Sequence, residues 1–332
     1  MIEYIRAAKG TTRLQKTLSN INLLILSEIF ILFSIFLAGQ PGFSQTIREN
    51  DSTLTRQSTV VDSSLSDTLR MTPADTLPIY DINRVVPNRA FRVGEKLTFN
   101  IRYGIFKAGE ATMEVREIAL VNDSIPAYHI VTTARSARFF DVFYKVRDEV
   151  ETYLDARGLF SWKFNKRLRE AGYKFDLFVK YDPLHRKANV HRIRYHKKTP
   201  LKIRKESKFT LDVPAYVLDV LGAFYYVRTQ RLKVGEPIYM ANHDNKKVFE
   251  LKVIIQRREQ IKVPAGKFNC IVVKPVLEGE SIFKQKGELW IWLTDDEHKI
   301  PVKMKSKVAV GSITTELKKI EGVEMPIRAR VD

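Results

Sequence analysis

The amino-acid sequence predicts a mainly β fold: a large antiparallel sheet, strongly curved or closed into a barrel, with one short packed helix. Apolar and polar residues alternate in roughly a dozen segments, which is typical of half-buried strands. Only residues 213–228 place apolar side chains at helical spacing. A flat sheet of so many strands would expose long edges, so curvature or closure is expected.

The first strands are clear from alternation. One strand runs through Leu97, Phe99, Ile101 and Tyr103, and its hairpin partner follows with Ala111, Met113 and Val115. Residues 127–134 and 146–154 predict two further strands. The aromatic segment 136–144 between them does not alternate, which fits a short helix or an irregular loop.

Residues 161–208 are the most basic part of the chain, with sixteen Lys and Arg against four Asp and Glu. Because apolar residues still alternate there, the charges are expected on the outward faces of hairpins. Two interpretations stay open, a solvated surface and a face that binds an anionic ligand. The predicted helix follows, with Asp212 as N-cap and Pro214 in its first turn, and should pack onto the sheet or plug it.

The C-terminal third predicts six strands, at residues 247–256, 258–263, 268–277, 287–293, 300–308 and 312–320. In the closing hairpin we expect Leu293 to pair with Ile300. Trp290 then lies opposite Lys303, and Trp292 lies opposite Pro301. Tryptophan beside lysine favours a cation–π contact and a surface for an amphiphilic anion. The alternative is an outer wall on which lysine stems shield the tryptophans.

The N-terminus predicts export. A basic start is followed by an apolar run at residues 21–37 and a small-residue site at 42–44, the layout of a cleaved signal peptide over residues 1–44. The alternative is an uncleaved inner-membrane anchor formed by residues 21–38. The expected location is therefore the periplasm or the cell surface. Cys270 is the only cysteine, so no intrachain disulfide and no lipid-bearing N-terminal cysteine are expected.

Composition divides the rest of the chain. Residues 45–90 are rich in Ser, Thr and Asp and predict a disordered linker, residues 91–323 a single β-rich domain, and residues 324–332 a tail. The formal net charge is +18, and 47 basic against 30 acidic residues follow position 90. The folded part therefore carries the positive charge, which suggests an anionic lipid or glycan, or an envelope protein, as partner. Nucleic acid is not expected for an exported chain.

The sequence lacks the common catalytic and cofactor-binding motifs. The sequence contains no phosphate-binding loop, dinucleotide fingerprint, Gly-x-Ser-x-Gly elbow, zinc-protease motif or Cys-x-x-Cys pair, so neither a nucleotide nor another cofactor is expected. His191 and His196 would face opposite sides of a strand, and no metal site is expected. Asp148 and Asp155 would be too far apart for a glycosidase pair without another carboxylate. The charged turn 294–299 is expected to be solvated.

The candidate ligand-binding residues are aromatic and cationic. The segment without alternation concentrates Phe139, Phe140, Phe143 and Tyr144, some of which could line a mouth or groove, core packing being the alternative. The closing hairpin adds Trp290, Trp292 and Lys303.

Four passages in this order resemble an exported bacterial family known as domain of unknown function 3108. They are FRVGEKLTFNIRYGIFKAG (91–109), SARFFDVFYKVRD (136–148), DVLGAFYYVR (219–228) and WIWLTDDEHKIPV (290–302). The likeness covers residues 91–320 approximately. It implies a secreted or periplasmic β-rich domain of a Gram-negative envelope and brings no catalytic residues. The closing hairpin is also similar in pattern to lipoprotein-carrier half-barrels.

Three functions remain open from the sequence. The preferred one is an envelope protein that binds or carries an amphiphilic or anionic ligand, a lipid or a glycan, inside a curved sheet. The second is a scaffold or assembly factor for the outer membrane or cell surface. The third is a polysaccharide hydrolase, although the sequence favours a protein that is not an enzyme.

Overall fold

The structure, a computed structural model, describes residues 82–197, 200–277, 288–307 and 311–332. The strands in this part of the chain are β1 (Lys96–Tyr103), β2 (Phe106–Val121), β3 (Ile125–Ser136), β4 (Arg147–Asp155), β5 (Ser161–Glu170), β6 (Tyr173–Asp182), β7 (Lys187–Tyr195), β8 (Ile203–Asp212), β9 (Ile238–Asp244), β10 (Lys247–Val263), β11 (Gly266–Leu277), β12 (Leu289–Thr294), β13 (Pro301–Lys307) and β14 (Ser312–Glu321). The helices are α1 (Arg138–Tyr144) and α2 (Val220–Thr229).

All fourteen strands belong to one antiparallel, curved sheet, which confirms the predicted fold class. The strand order is β8-β7-β6-β5-β4-β3-β2-β1-β14-β13-β12-β11-β10-β9. Strands that follow each other in sequence therefore pair in the sheet, except β8 and β9, which form its two edges. The two halves are joined by the pairing of β1 with β14. The predicted signal peptide and most of the predicted linker lie outside the described residues. Neither helix in the described part is long and apolar enough to span a membrane.

One face of the sheet, called the inner face here, carries most of the core. Directly opposed residues on paired strands share a face. The register thereby connects Val150 to Thr132, then to Met113 and to Leu97. On the other half it connects Met304 to Ile291. These side chains are buried in one continuous cluster or beside it.

The edge strand β9 approaches the other half of the sheet on the inner side. The segment before α2 connects them, because Ser161 N–H donates to the carbonyl of Val217 at 3.1 Å and Leu218 N–H donates to the carbonyl of Ala241 at 3.0 Å. The first bond reaches β5 and the second reaches the edge strand β9. The sheet is thus curved enough for β9 to lie against the far half.

Helix α2 begins seven residues later than the predicted residue 213, and its N-cap is Asp219 instead of Asp212. Asp212 still pairs with Lys187 as the last residue of β8. Asp219 accepts the N–H groups of Leu221 and Gly222 at 2.9 and 2.8 Å, as an N-cap does. The residues between the two aspartates connect strands and are not helical.

The closing hairpin has a different register from the predicted one. Ile291 pairs with Met304, Trp292 with Lys303 and Trp290 with Lys305, a shift of two residues. The cause is the turn: Asp296 accepts N–H groups of His298 and Lys299, and the Thr294 hydroxyl donates to Asp296 and accepts the N–H of Ile300. A shift of two keeps every side chain on its predicted face.

The tip of this hairpin is not the solvated turn that the sequence suggested. His298 is buried, and Asp296 also accepts the N–H of Ala329 at 3.1 Å. Residues 324–332, the predicted tail, run along β11, where Asn269 N–H donates to the carbonyl of Ala329 at 2.8 Å. The turn is therefore covered by the C-terminal segment.

Two further differences concern local boundaries. Residues 247–256 and 258–263, predicted as two strands, form the single strand β10, because a bulge between Ile255 and Arg257 absorbs the change in alternation. The end of the predicted linker also contacts the domain. Arg84 donates to the carbonyls of Gly158 and Leu159, both at 2.7 Å.

Candidate functional site

The aromatic segment predicted to line a mouth forms the short helix α1 at one end of the sheet. Phe139 is 71% exposed and meets Phe140 edge to face at 5.5 Å. Phe140 packs partly against the core, and Tyr144 is buried in it. Phe143 belongs to α1, but its side chain lies outside what the structure describes. Phe139, Phe140 and Tyr144 therefore lie in different surroundings and do not share one surface.

Polar side chains at both ends of α1 fix the helix on the sheet. Asp141 accepts two hydrogen bonds from the Arg147 guanidinium, at 3.1 and 2.5 Å, and one from the Ser136 hydroxyl. The bonds to Arg147, more than any other interaction, hold the pKa of the Asp141 carboxyl below its ordinary value. Val146 N–H donates to the Ser136 hydroxyl at 2.8 Å. These bonds hold helix α1 between β3 and β4.

The side chains of Trp290 and Trp292 lie on the outer face of the sheet, whereas those of Ile291 and Met304 lie on the inner face. The Lys303 ammonium lies 5.8 Å from the Trp292 ring centre. The prediction that Lys303 lies opposite Trp290 is therefore wrong. Trp290 instead lies 5.5 Å from the ammonium of Lys274. Both distances permit cation–π attraction. A role of Trp290, Trp292 and Lys303 in ligand binding stays a prediction.

The inner face holds a buried lysine that sequence analysis missed. Lys166 of β5 pairs with Val150, which places its side chain among core residues, and only 1% of that side chain is exposed. Its ammonium nitrogen forms an ion pair with Asp244 Oδ1 at 3.6 Å. This ion pair is longer than a normal hydrogen bond. Burial lowers the pKa of Lys166 more than Asp244 raises it.

His243 and Tyr181 lie beside this pair. The Tyr181 hydroxyl and His243 Nδ1 share a hydrogen bond of 2.9 Å, and the two rings meet edge to face. Burial lowers the pKa of His243 and raises that of Tyr181, so both are neutral near pH 7. His243 Nε2 and Asp244 Oδ1 are buried and make no hydrogen bond with any residue that the structure describes.

A neighbouring carboxylate shows what a satisfied buried acid looks like. Besides its two bonds at the start of α2, Asp219 accepts the hydroxyls of Thr152 and Ser161 at 2.6 and 2.5 Å. These four donors saturate the carboxylate and make it a structural joint between α2, β4 and β5. Lys166, His243 and Asp244, in contrast to Asp219, have donors or acceptors that are not used in hydrogen bonds with the described residues.

Two arginines extend the positive charge of the inner face. The register pairs Leu177 with Arg192 and Phe175 with Arg194, and both apolar residues are buried. The Arg194 guanidinium lies 3.3 Å from the ring centre of Tyr173, and that of Arg192 lies 5.8 Å from the ring centre of Phe175. Arg192 Nε is buried and has no hydrogen-bond partner in the described part of the chain.

We call Lys166, Arg192 and Arg194 the inner cationic group. Their position corrects the expectation that the basic residues of segment 161–208 line outward faces only. The signal was present in the sequence, since Lys166 lies two residues from both Phe164 and Leu168, on the apolar positions of β5. Arg192 and Arg194 likewise continue the positions of Ala188 and Val190.

The carboxylates considered for glycosidase chemistry have structural partners. Asp148 accepts the N–H of Arg169 at 2.8 Å. Asp155 accepts the N–H groups of Arg157 and Gly158 and the indole N–H of Trp162. Among the described residues, no group of three or more His, Cys, Asp or Glu side chains could hold a metal ion.

A groove of about 420 Å³ lies at the end of the sheet opposite α1. Its walls come from residues 88–92, from the turn at Glu297 and His298 and from residues 323–328. Arginines and glutamates are mixed along it, and Glu95 at its base already pairs with Arg228. This groove therefore presents no single charge to an anionic ligand.

Comparison with known structures finds weak similarities. A β-barrel-like protein of domain of unknown function DUF1849 from Brucella abortus has 12% identity and a TM-score of 0.43, covering 71% of this chain and 98% of its own. A candidate exported protein with a YmcC-like fold from Bacteroides fragilis has 10% identity and a TM-score of 0.29, covering 71% and 98%. A candidate lipoprotein from Parabacteroides distasonis has 10% identity and a TM-score of 0.25, covering 72% and 100%.

A search of curated proteins finds no match to this chain. The sequence model described as "Protein of unknown function (DUF3108)" matches residues 98–318. That range runs from β1 to β14 and includes both helices and the inner cationic group. The suspected resemblance is confirmed, and the chain belongs to the DUF3108 family.

Proposed function

We propose that this chain is an exported envelope protein that binds an anionic amphiphile, a lipid or glycolipid, against the inner face of its curved sheet. The observation that carries the proposal is the inner cationic group. Three basic side chains lie on the face that forms most of the apolar core, near the carboxylates of Asp244 and Glu170. A ligand with an anionic head and an apolar body matches that combination.

The energetics of Lys166 support an anionic partner. Moving an ammonium group from water into a protein interior costs several kcal/mol unless it is paired and hydrogen-bonded. Asp244 at 3.6 Å offsets part of this cost. A phosphate or carboxylate oxygen would add charge-assisted hydrogen bonds, which are the stronger kind. The buried Nε of Arg192 offers one more donor for the same group.

The surroundings support an apolar body on the ligand. Phe164, Leu168, Phe175, Leu177 and Val190 are all buried on the inner face around the basic residues. The rings also contact the cations, since the Lys166 ammonium lies 5.6 Å from the ring centre of Phe164. Predicted export would bring the chain to a compartment in which lipids and glycolipids are available.

The test is mass spectrometry of organic extracts from the protein purified out of its native envelope. We expect a co-purifying anionic lipid or glycolipid at a constant ratio to protein. Lys166→Met should weaken ligand binding about tenfold or more, since a charge-assisted hydrogen bond contributes about 1.5–3 kcal/mol. Lys163→Met is the matched control, because Lys163 lies on the outer face of the same strand, near the Tyr153 ring.

Stability separates loss of a ligand from loss of the fold. Methionine keeps the length of the lysine stem but leaves Asp244 without its ion-pair partner. Because the Asp244 side chain is 20% exposed and the pair is 3.6 Å long, Lys166→Met should lower the melting temperature by only a few degrees. Ligand lost with so small a change in melting temperature supports the proposal. Equal occupancy in the parent, Lys166→Met and Lys163→Met proteins would contradict it, as would an extract without any anionic amphiphile. The scaffold and hydrolase functions stay predictions of the sequence.

A further inference from the structure

The most exposed apolar side chains of the described residues lie at one end of the sheet. Val142 is 81% exposed, Ile105 80% and Phe139 71%, and Phe106 beside them is 62% exposed. Ile105 lies in the turn between β1 and β2, Phe106 is the first residue of β2, and the other two residues belong to α1. Single exposed apolar residues are ordinary on protein surfaces, but a local group of four marks an interaction site.

The two segments are held next to each other by the backbone. Gly109 of β2 pairs with Ser136 of β3, and Ala137 N–H donates to the carbonyl of Ala108 at 2.9 Å. Gly109 permits this approach, because a Cβ there would lie 2.4 Å from the carbonyl oxygen of Arg135. The exposed group, called the apolar tip, comprises Ile105, Phe106, Phe139 and Val142.

Positive charge surrounds the apolar tip. Residues 102–107 and 135–147 contain six basic side chains and one acidic side chain. The acidic one, Asp141, is already bound by Arg147 and Ser136. Arg135, Arg138 and Lys145 are exposed, as is Lys107 of β2, which pairs with Glu110 at 3.8 Å. The tip therefore combines apolar side chains with a cationic rim, which complements the acyl region and the anionic head groups of a bilayer.

We propose that the apolar tip docks the chain on an anionic lipid bilayer. Phe139, Val142, Ile105 and Phe106 enter the boundary between head groups and acyl chains, and the basic rim contacts the anionic heads. This inference does not rest on the inner-face ligand, since it concerns other residues. It adds a place at which the protein meets the membrane.

Site-specific fluorescence tests the docking. A cysteine at position 142, labelled with an environment-sensitive dye, reports insertion of the tip. Cys270 does not interfere, because it is buried and burial raises the pKa of its thiol to about 12. The control is Leu120→Cys, since Leu120 is 62% exposed and lies about 46 Å along β2 from Phe106 at the usual strand rise.

The protein is used as purified after expression with its own N-terminal segment, and the probes are vesicles of phosphatidylglycerol and phosphatidylcholine. With mixed vesicles, we expect dye at position 142 to shift to the blue and to be quenched by nitroxide-labelled acyl chains. Dye at position 120 should do neither, even if residues 21–38 hold the chain on the vesicle. Equal responses at both positions, or none at position 142, would overturn the proposal.

Charge variants test the rim. Arg138→Glu and Lys145→Glu should each weaken the response at position 142 about fivefold or more, since one basic residue near an anionic surface contributes about 1 kcal/mol. Lys262→Glu makes the same charge change on β10, away from the tip, and should leave the response unchanged. If all three variants weaken the response at position 142 equally, the net charge of the protein and not the basic rim controls binding. Self-association that Val142→Asp abolishes, without any vesicle response, would assign the tip to a second copy of the chain.

Discussion

Arg228 and Glu95 form a two-pronged ion pair inside the protein. Arg228 Nη1 and Nη2 donate to the two carboxylate oxygens of Glu95 at 2.6 and 2.8 Å, and neither side chain is more than 1% exposed. The same guanidinium donates to the carbonyls of Ala90 and His298 at 3.1 Å. One side chain thus ties the last turn of α2 to the start of β1 and to the closing turn. Three of the four passages that carry the family resemblance meet there.

Breaking this pair should be costly. Arg228→Met should lower the free energy of unfolding by about 3–5 kcal/mol, because it leaves Glu95 charged and buried without its partner. Urea denaturation measures the loss, and Arg231→Met at an exposed position should cost less than about 0.5 kcal/mol. The double variant Glu95→Leu, Arg228→Met should recover part of the loss. A cost below about 1 kcal/mol for Arg228→Met would contradict the structural role.

His129 should make stability depend on pH. Its Nε2 lies 2.9 Å from Glu151 Oε2, and this hydrogen bond is the main cause that raises the pKa of His129 above its ordinary 6.5. The folded chain therefore holds the proton more tightly than the unfolded chain does. The stabilisation is complete below about pH 6.5 and is lost as the pH rises through the folded pKa.

Denaturation of the parent chain and His129→Gln between about pH 5 and pH 9 measures this effect. The difference in unfolding free energy should shrink as the pH rises. His129 is also the largest cause that lowers the pKa of Glu151 to about 2, so the contribution of Glu151 should be present above its ordinary pKa of 4.5 and lost as the pH falls toward 2. If the difference in unfolding free energy between the parent chain and His129→Gln stays constant from about pH 5 to pH 9, the His129–Glu151 pair is not responsible.

Gly322 should not tolerate a side chain. Its φ is +69°, and a Cβ would lie 1.9 Å from the carbonyl oxygen of Gly94. Gly322→Ala should therefore cost about 3 kcal/mol, combining a left-handed backbone with overpacking. Gly235→Ala is the control, because φ there is +87° but no atom lies within 4 Å of the Cβ, and its cost should be about 1–2 kcal/mol. Equal losses in thermal or urea unfolding would remove the clash from the explanation.

The two tryptophans of the closing hairpin should differ in their effects on stability. Trp292 is buried and its indole N–H donates to Glu259, so Trp292→Ala should cost about 3–5 kcal/mol. Trp290 is only half-buried, and Trp290→Ala should cost less. The ligand occupancy of the Trp290→Ala protein is measured alongside. Occupancy lost at an unchanged melting temperature would move the binding site from the inner face to the predicted Trp–Lys surface.

Local pattern predicted the strands, because the two-residue period identifies buried faces whatever the pairing. It did not predict the pairing of Trp292 with Lys303, since that depends on how Thr294 and Asp296 close the turn. It also placed the start of α2 at the wrong aspartate. Asp212 and Asp219 are equally good N-caps in isolation, and only the strands around them decide which one begins the helix.

The sequence Val-Gly-Glu occurs at residues 93–95 and again at 234–236, and it shows the same limit. Gly94 and Gly235 both have positive φ, and their N–H groups donate to Val115 and Ile255 of the next strand. The local geometry therefore follows the sequence. The fates of the glutamates do not, since Glu95 binds buried Arg228 while Glu236 forms an exposed pair with Lys233. Lys166 escaped prediction for a related reason, because a basic segment was expected to face solvent.

The pairing of β1 with β14 has a consequence for how the chain folds during its synthesis. Lys96 pairs with Glu321, so the first and last strands of the sheet must meet across a separation of 225 residues. A chain that emerges from its N-terminus exposes the free edge of β1 until β14 arrives. Such long-range pairing is slow, and an open edge invites aggregation. The period between the emergence of these two strands is when the protein most needs a chaperone.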